Sequence, residues 1–337
     1  MMSRLNRYEQ PFDETVHKHV RELVAASAGD PLAPFALRPE KSYVFSPDGL
    51  AAVGYRVRVK TAVAAGDPVG PIESWPAAIE AFVLSATARK LRIAVLGASE
   101  RARPLWERYH LGHLAIGRDV VVRSDDFELA GRRFRNLRQA IKRTHNSGVT
   151  VEFRREGDLS PAEVDEVRFL MRRSHKEDRR GFSMILGRLF DGRSPDAILV
   201  TARDRDGAIV AVHRYLWAGQ HDLSLDLPIR APKSPNGVDE RIVAELVEWG
   251  SRYGVERISL AFAPFPDLFV KRDEKSLSVP GRIGCYALVL LDPLIRLERL
   301  YRYLRKFHAF GEERHLMLRW RQVVPVAIAC LLLEFNT

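Results

Sequence analysis

The order of hydrophobic and polar positions predicts alternating strands and helices. Residues 41–70 contain short apolar runs broken by Pro-Asp-Gly and Gly-Asp-Pro, as is typical of strands joined by turns. In 71–90, Ile79, Phe82, Val83 and Ala86 fall on one helix face, and the apolar run 91–99 is typical of a buried central strand. We expect a short helix in 101–112 and a strand in 117–123.

The second half repeats this alternation. It predicts a strand at 149–157, a helix from Ser160-Pro161 to 177, a hairpin at 196–219 and a strand at 221–227. A helix at 237–254, strands at 256–265 and 285–292 and a basic helix at 296–310 follow. We therefore predict an α/β (α+β) fold in two similar halves, with a first domain at 1–124, a connecting helix at 125–148 and a second domain at 149–337.

Charge points to an anionic partner. The 337 residues include 53 Lys and Arg against 43 Asp and Glu, a net charge of +10, which suits nucleic acid, anionic lipid or a phosphorylated substrate. In 127–148 the apolar residues Phe134, Leu137 and Ile141 mark one helix face. The remaining surface carries six cations: Arg132, Arg133, Arg135, Arg138, Lys142 and Arg143. We interpret this surface as an anion-binding face, with an ordinary solvated face as the alternative.

The segment SLDLPIRAPKSPNGVDE, 224–240, combines a strand, a turn and a helix start. We expect Asp226 at the end of the strand and Pro235 and Gly237 in the turn. Asn236 or Asp239 would cap the helix, whose first turn offers free backbone N–H groups. The segment is a candidate site in which a carboxylate faces these groups. A capped turn beside a solvated aspartate is the alternative.

Other residues offer less specific chemistry. Glu177 and Asp178 could recognise an amine or simply end a helix, and His213, alone in a strand pattern, is more typical of a structural role. The chain has no phosphate-binding loop, dinucleotide fingerprint, nucleophile elbow or zinc-protease motif. It also lacks the arginine-glycine loop expected of acetyltransferases that use coenzyme A.

The N-terminus has no signal-peptide pattern, and no apolar run approaches the roughly 20 residues that span a bilayer. The longest, 323–333, is interpreted as a buried strand or core segment, with contact to a membrane surface as the alternative. We expect a cytoplasmic protein.

Five ordered blocks carry a family resemblance: GDPVG at 66–70, FELAGRRFRNLRQAIKRTHNSGV at 127–149, GFSMILGR at 181–188, SLDL with PNGVDE at 224–240, and SLAFAPF at 259–265. Over roughly 41–306 the chain resembles the cytosolic catalytic domain of the phosphatidylglycerol lysyltransferases, the multiple peptide resistance factor family. We expect a stand-alone form, without the membrane-embedded flippase domain that often precedes this domain.

The resemblance implies two tandem GNAT-like acyltransferase domains, the first degenerate and the second carrying the site. It implies transfer of an amino acid from aminoacyl-tRNA to a hydroxyl of phosphatidylglycerol or a related lipid at the inner membrane face. No metal or nucleotide cofactor is implied, because the aminoacyl ester is already activated. Two alternatives remain open: aminoacyl transfer to a cell-wall peptide precursor, and a non-catalytic module that binds anionic lipid or RNA.

The resemblance also implies site residues. Asp226, Asn236 and Asp239 would be catalytic, with Asp226 binding the α-ammonium or acting as base. Glu177 and Ser183 would line the site, and Arg230, one place later than in the family pattern, would contact substrate. Contacts to tRNA or lipid phosphate would come from Arg135, Arg138, Lys142 and Arg143.

Overall fold

The alternating segments fold into one mixed sheet with helices on its faces. The computed structural model describes residues 12–27, 29–174, 188–264 and 297–335. Within these residues the strands are β1 (Ser42–Phe45), β2 (Ala52–Arg58), β3 (Thr61–Ala65), β4 (Arg92–Ser99), β5 (Gly112–Arg123), β6 (Thr150–Arg155), β7 (Ile198–Arg203), β8 (Ile209–Trp217), β9 (Asp222–Arg230), β10 (Arg257–Pro264) and β11 (Phe310–Leu318).

The helices in the same ranges are α1 (Glu14–Ala26), α2 (Trp75–Ala88), α3 (Arg103–Glu107), α4 (Arg135–Asn146), α5 (Pro161–Arg173), α6 (Val238–Arg252), α7 (Leu297–Leu304) and α8 (Val323–Phe335). Short 3-10 helices lie at Ala33–Leu37, Ile72–Ser74, Glu156–Asp158, Arg305–Phe307 and Trp320–Gln322. The predicted strand at 285–292 lies outside the described residues.

The two halves of the sheet share one topology. The strand order is β1-β2-β3-β4-β11-β5-β10-β9-β8-β7-β6. In the first half an antiparallel meander ends in β3, which pairs in parallel with β4 across α2. In the second half the meander ends in β9, which pairs in parallel with β10 across α6. The predicted fold class, two tandem mixed-sheet units with flanking helices, is confirmed.

The halves exchange strands at the centre of the sheet. β11 lies between β4 and β5, so the last described strand belongs spatially to the first half. β5 in turn pairs antiparallel with β10 of the second half. A continuous ladder therefore joins the halves, and the division at 124 and 149 stays a prediction.

Each half has its own apolar core under a crossover helix. Trp75, Ile79 and Phe82 of α2 are buried against the first-half strands. In the second half, α6 buries Ile242 and Leu246 against the sheet, as their spacing predicted.

The basic helix α4 is shorter than its pattern suggested. It begins at Arg135, so Arg132 and Arg133 lie in the preceding turn. Leu137 is buried, as predicted. The predicted end is confirmed: Asn146 is the last helical residue, and Gly148 has φ +73° and donates its N–H to the His145 carbonyl.

Two expectations near the C-terminus were wrong or incomplete. Segment 323–333 forms helix α8 rather than a strand, because its inward residues follow a helical spacing: Val326, Ala329, Cys330 and Leu333. Each helix in the described ranges is too short or too polar to cross a bilayer. Strand β11 was not predicted, because its central residues, Glu313 to His315, are charged or polar.

Candidate functional site

Asp226 lies inside β9, not at the end of a strand. The strand continues through Pro228 to Arg230, so the expected position was wrong. The Asp226 side chain is fully buried, and its Oδ2 accepts a hydrogen bond from Arg214 Nη1 at 2.7 Å. Burial of an aspartate is tolerated because the buried guanidinium compensates its charge.

Arg214 joins Asp226 to a second carboxylate. Its Nε donates to Glu156 Oε2 at 2.6 Å, and the other Glu156 oxygen accepts the backbone N–H of Phe190 at 2.8 Å. Burial raises the pKa of Glu156 although Arg214 opposes the shift. Two carboxylates share one cation here, so the buried ionic cluster ties β8, β9 and the loops around 156 and 190 together.

A bulge at Asp226 explains why β9 places Asp226 and Arg230 on opposite faces of the sheet. Arg214 pairs with Leu227 and Tyr215 pairs with Leu225, which leaves Asp226 as the extra residue of β9. Because side chains alternate along a strand, one extra residue moves every later side chain to the opposite face. This shift aims Arg230 at α6, whereas Asp226 points away from it toward Arg214.

Asp239 lies on the α6 side with different partners. One of its oxygens is 3.1 Å from His213 Nε2, and the other accepts from Arg230 Nη1 at 3.0 Å. Burial alone would raise the pKa of Asp239, but the hydrogen bond and charge of His213 and the charge of Arg230 outweigh burial and lower it. The carboxylate is therefore held in its charged form.

Two tyrosines extend this cluster. Tyr215 Oη is 3.2 Å from His213 Nδ1. The Tyr303 hydroxyl of α7 is buried without a hydrogen-bond partner among the described residues. Burial, and after it the negative charge of Asp239, raises its pKa well above the usual range.

The two predicted carboxylates do not come together. His213 and Arg214 are consecutive in β8 and point to opposite faces of the sheet. Since His213 binds Asp239 and Arg214 binds Asp226, the two acids lie on opposite faces. The expected pairing of Asp226 with the helix start was therefore wrong.

The turn before α6 is shaped by close packing rather than by a side-chain cap. Gly237 is the N-cap, with φ +98°, and neither Asn236 nor Asp239 caps the helix. A Cβ on Gly237 would lie 2.8 Å from the Ala140 carbonyl oxygen of α4. Asn236 is exposed. Glycine is therefore needed for both its conformation and the close approach of α4.

That approach places the basic helix beside the α6 start. Arg135, Lys142 and Arg143 are exposed, and no described residue pairs with their charged groups. Arg138 instead donates to the carbonyls of Leu129 and Gly131, at 2.6 and 2.7 Å. Glu177 and Ser183 lie outside the described residues. Their predicted roles, like those of the other site residues, stay predictions.

Sequence reasoning missed several buried partners. His213 was interpreted as structural, and Arg214, Glu156 and Tyr303 were not singled out. The signal was present only in VAVHRYLW, where His213 and Tyr215 share one strand face and Arg214 interrupts the apolar face. Glu156 and Tyr303 are distant in sequence, so no spacing could have connected them.

A second buried ionic cluster explains the GDPVG block. Arg314 of β11 donates to Asp30 and Asp119, each at 2.7 Å, and lies 3.8 Å from Asp67. The Ser99 N–H also binds Asp67, at 2.9 Å. Arg314 thus joins the inserted β11 to segments from the first half.

One group of metal-ligand residue types occurs in the described ranges. Glu100, Glu313 and His315 bring ligand atoms within 4.8 Å of one another. His315 Nε2 already contacts Glu100 at 2.5 Å, and Glu313 lies 3.8 Å from Arg118. Protein partners therefore account for this group.

The repeated topology, with a buried carboxylate cluster in the second half and the basic helix α4 packed beside α6, defines a protein of two tandem mixed-sheet units. A family model described as "Phosphatidylglycerol lysyltransferase, C-terminal" matches residues 21–317. The chain belongs to this family.

Curated relatives and solved structures agree with that membership. The chain is 44% identical over 324 residues to the MprF-like domain protein Rv1619 of Mycobacterium tuberculosis, covering 93% of this chain and 66% of the relative. It is 37% identical to the lysylphosphatidylglycerol biosynthesis bifunctional protein LysX of Mycolicibacterium gilvum, covering 96% of this chain and 29% of the relative. The chain thus spans less than two thirds of the length of either relative.

Solved structures share the fold. L-PGS from Bacillus licheniformis aligns with a TM-score of 0.77 at 18% identity, over 97% of this chain and 98% of the other. The C-terminal domain of a putative lysylphosphatidylglycerol synthetase from Agrobacterium fabrum aligns with a TM-score of 0.78 at 22% identity, over 95% and 98%.

Proposed function

We propose that this protein transfers an amino acid from aminoacyl-tRNA to a hydroxyl of phosphatidylglycerol or a related lipid at the inner face of the cell membrane. The observation that carries the proposal is the family match across both halves, 21–317. The similarity to LysX proteins, which are named for lysylphosphatidylglycerol biosynthesis, supports the lipid acceptor.

The proposed reaction needs no cofactor. The lipid hydroxyl oxygen attacks the ester carbonyl carbon, the bond from that carbon to the tRNA ribose oxygen breaks, and the hydroxyl proton ends on the ribose oxygen. The donor ester is already activated, so the protein has to position the reactants and stabilise the oxyanion.

Asp239 is the residue best placed to hold the amino acid. Its lowered pKa makes it a poor proton acceptor at neutral pH but a persistent negative charge. A charged carboxylate suits the α-ammonium group of the aminoacyl ester. His213 and Arg230 would position Asp239, and the 34% exposed side chain of Arg230 gives the cluster access to solvent.

Asp226 would act differently from Asp239. With its carboxylate buried against Arg214, it would stabilise the bulge that aims Arg230 at Asp239. The alternative role of Asp226, as base or as ligand of the α-ammonium, stays a prediction. The cations of α4 would contact phosphates of tRNA or lipid.

The first experiment uses the purified chain, total tRNA charged with labelled amino acids, and phosphatidylglycerol vesicles, with label counted in the lipid extract. We expect label that disappears after ribonuclease treatment, and mass spectrometry then identifies the amino acid. Label only in an added soluble peptide acceptor would contradict the lipid proposal and favour a cell-wall acceptor.

The site is tested by Asp239→Asn. Loss of the charge should lower kcat/KM for the aminoacyl donor by about 10- to 100-fold, because one charge-assisted contact to the donor is lost. Asp165→Asn on α5 is the matched control, since its side chain is 77% exposed and its pair with Arg168 is at 3.6 Å. A wild-type rate for Asp239→Asn would refute this role.

A further inference from the structure

From Val323 to Leu333 helix α8 is apolar on all sides, although the described residues cover only one side. Val323 to Leu333 includes no charged residue. The inner face packs Val326, Ala329 and Leu333 against Val63 of β3, Ala94 of β4 and Leu318 of β11. A helix lying on the surface of a soluble domain normally carries polar residues on its outer face.

The outer face of α8 is an exposed apolar stripe. Val324, Ile328 and Leu331 follow the i, i+4, i+7 spacing and are 65%, 45% and 49% exposed. Trp320, in the short 3-10 helix just before α8, is 59% exposed. The three helical positions span about 10 Å along the axis. We call these four residues the α8 stripe.

A cluster of cations lies where α8 begins. The parallel strands β3 and β4 start at the same edge of the sheet, and the antiparallel β11 ends there. At this edge a cavity of about 290 Å³ has eight lining residues, among them Lys60, Lys90, Arg92 and Arg319. Four of these eight lining residues are cationic and none is acidic, so this end of α8 attracts anions.

We propose that the α8 stripe and the cationic edge dock the protein on an anionic lipid bilayer, with α8 lying in the plane of the interface. An apolar helix face enters the boundary between head groups and acyl chains, while neighbouring cations bind anionic head groups. The choice of a bilayer rests on the proposed function, since an enzyme that modifies phosphatidylglycerol must meet that lipid in a membrane.

Charge and apolar exposure together favour a bilayer over other partners. RNA would neutralise Lys60, Lys90, Arg92 and Arg319 but would leave the α8 stripe in water. A second copy related by two-fold symmetry would cover the stripe but would bring the cationic edge near its own symmetry mate.

The test is cosedimentation of the full chain with vesicles of phosphatidylglycerol and phosphatidylcholine, and of phosphatidylcholine alone. Val324→Ser/Ile328→Ser/Leu331→Ser should lower the partition coefficient on the mixed vesicles at least about tenfold, because three half-exposed aliphatic side chains no longer enter the lipid. Lys60→Gln/Lys90→Gln/Arg319→Gln should lower it on mixed vesicles but not on phosphatidylcholine.

The matched control replaces three exposed apolar residues outside α8. Leu50→Ser/Phe169→Ser/Tyr253→Ser changes side chains that are 53%, 53% and 68% exposed. This variant should bind vesicles like the wild type. Brominated lipid should quench tryptophan fluorescence of the wild type more than that of Trp320→Phe.

Three results would overturn the proposal. The first is wild-type vesicle binding by the α8 serine variant. The second is loss of tRNA binding, with vesicle binding intact, in the glutamine variant. The third is a dimer in sedimentation velocity that the serine changes dissociate. Aminoacyl transfer to phosphatidylglycerol in detergent micelles separates this proposal from the proposed function, because no bilayer is needed there. The α8 serine variant should retain this transfer activity. A wild-type protein without transfer activity in micelles would count against the proposed function alone.

Discussion

Replacing Arg214 tests whether the buried ionic cluster holds the second half together. Arg214→Met removes the guanidinium that donates to both Glu156 and Asp226. The methionine fills part of the space left by the arginine stem, so the main loss is electrostatic. Both buried carboxylates then lose the charge and the hydrogen bonds of Arg214.

The expected cost follows from burial. Arg214 and Asp226 have fully buried side chains, and the Glu156 side chain is 4% exposed. Breaking a buried pair by removing one partner costs about 3–5 kcal/mol of unfolding free energy. For comparison, Arg168→Met breaks an ion pair whose side chains are 49% and 77% exposed, which should cost about 0–1 kcal/mol.

Urea unfolding at pH 5 and pH 8 is the assay. Burial already raises the pKa of Glu156 in the presence of Arg214, and without Arg214 the Glu156 carboxyl group should take up a proton more readily in the folded state. An acid whose folded pKa is raised loses stability as the pH rises through that range, so the deficit of Arg214→Met should be larger at pH 8.

A rescue variant sharpens the test. Adding Glu156→Gln and Asp226→Asn to Arg214→Met removes the two carboxylate charges that Arg214 contacts in the wild type and should restore about 1–4 kcal/mol. Equal deficits at the two pH values, or no deficit beyond that of Arg168→Met, would refute the reasoning.

Two further predictions concern the packing of α6 and the Arg314 cluster. Gly237→Ala should lower the unfolding free energy by about 2–4 kcal/mol, since it adds overlap with α4 to the cost of positive φ. The control is Gly207→Ala, where φ is +82° and an added Cβ would meet nothing within 4 Å; it should lower the unfolding free energy by only about 1–2 kcal/mol. Equal losses for the two variants would contradict the close approach of α4 to Gly237. Burial and the Asp30 carboxylate raise the pKa of Asp67 to about 6, so Asp67 lowers stability as the pH rises from about 4 to about 6. The unfolding free energy of Asp67→Asn minus that of the wild type, measured in urea, should therefore rise by about 2–3 kcal/mol from pH 4 to pH 7.5. The same difference at both pH values would refute the raised pKa of Asp67.

The sequence by itself determined the fold class, most element positions and the basic character of α4. These follow from local patterns: apolar spacing of 3.6 or 2, turn residues and helix ends, which depend on neighbours a few positions away. The family was also readable from sequence, because five ordered blocks occur along one chain. The same local information placed Asp226, Arg230 and Asp239 near one another in the chain.

Only the tertiary structure decided which of these residues meet. The extra residue at Asp226 reverses the faces of β9, so Asp226 binds Arg214 while Arg230 reaches Asp239, and a single-residue bulge leaves no mark in a hydrophobic pattern. Strand β11 was missed for a related reason. Its buried Arg314 is compatible with a core only because Asp30 and Asp119, about 200 or more positions away, supply its counter-charges. Long-range compensation of charge and strand register are properties of the folded chain.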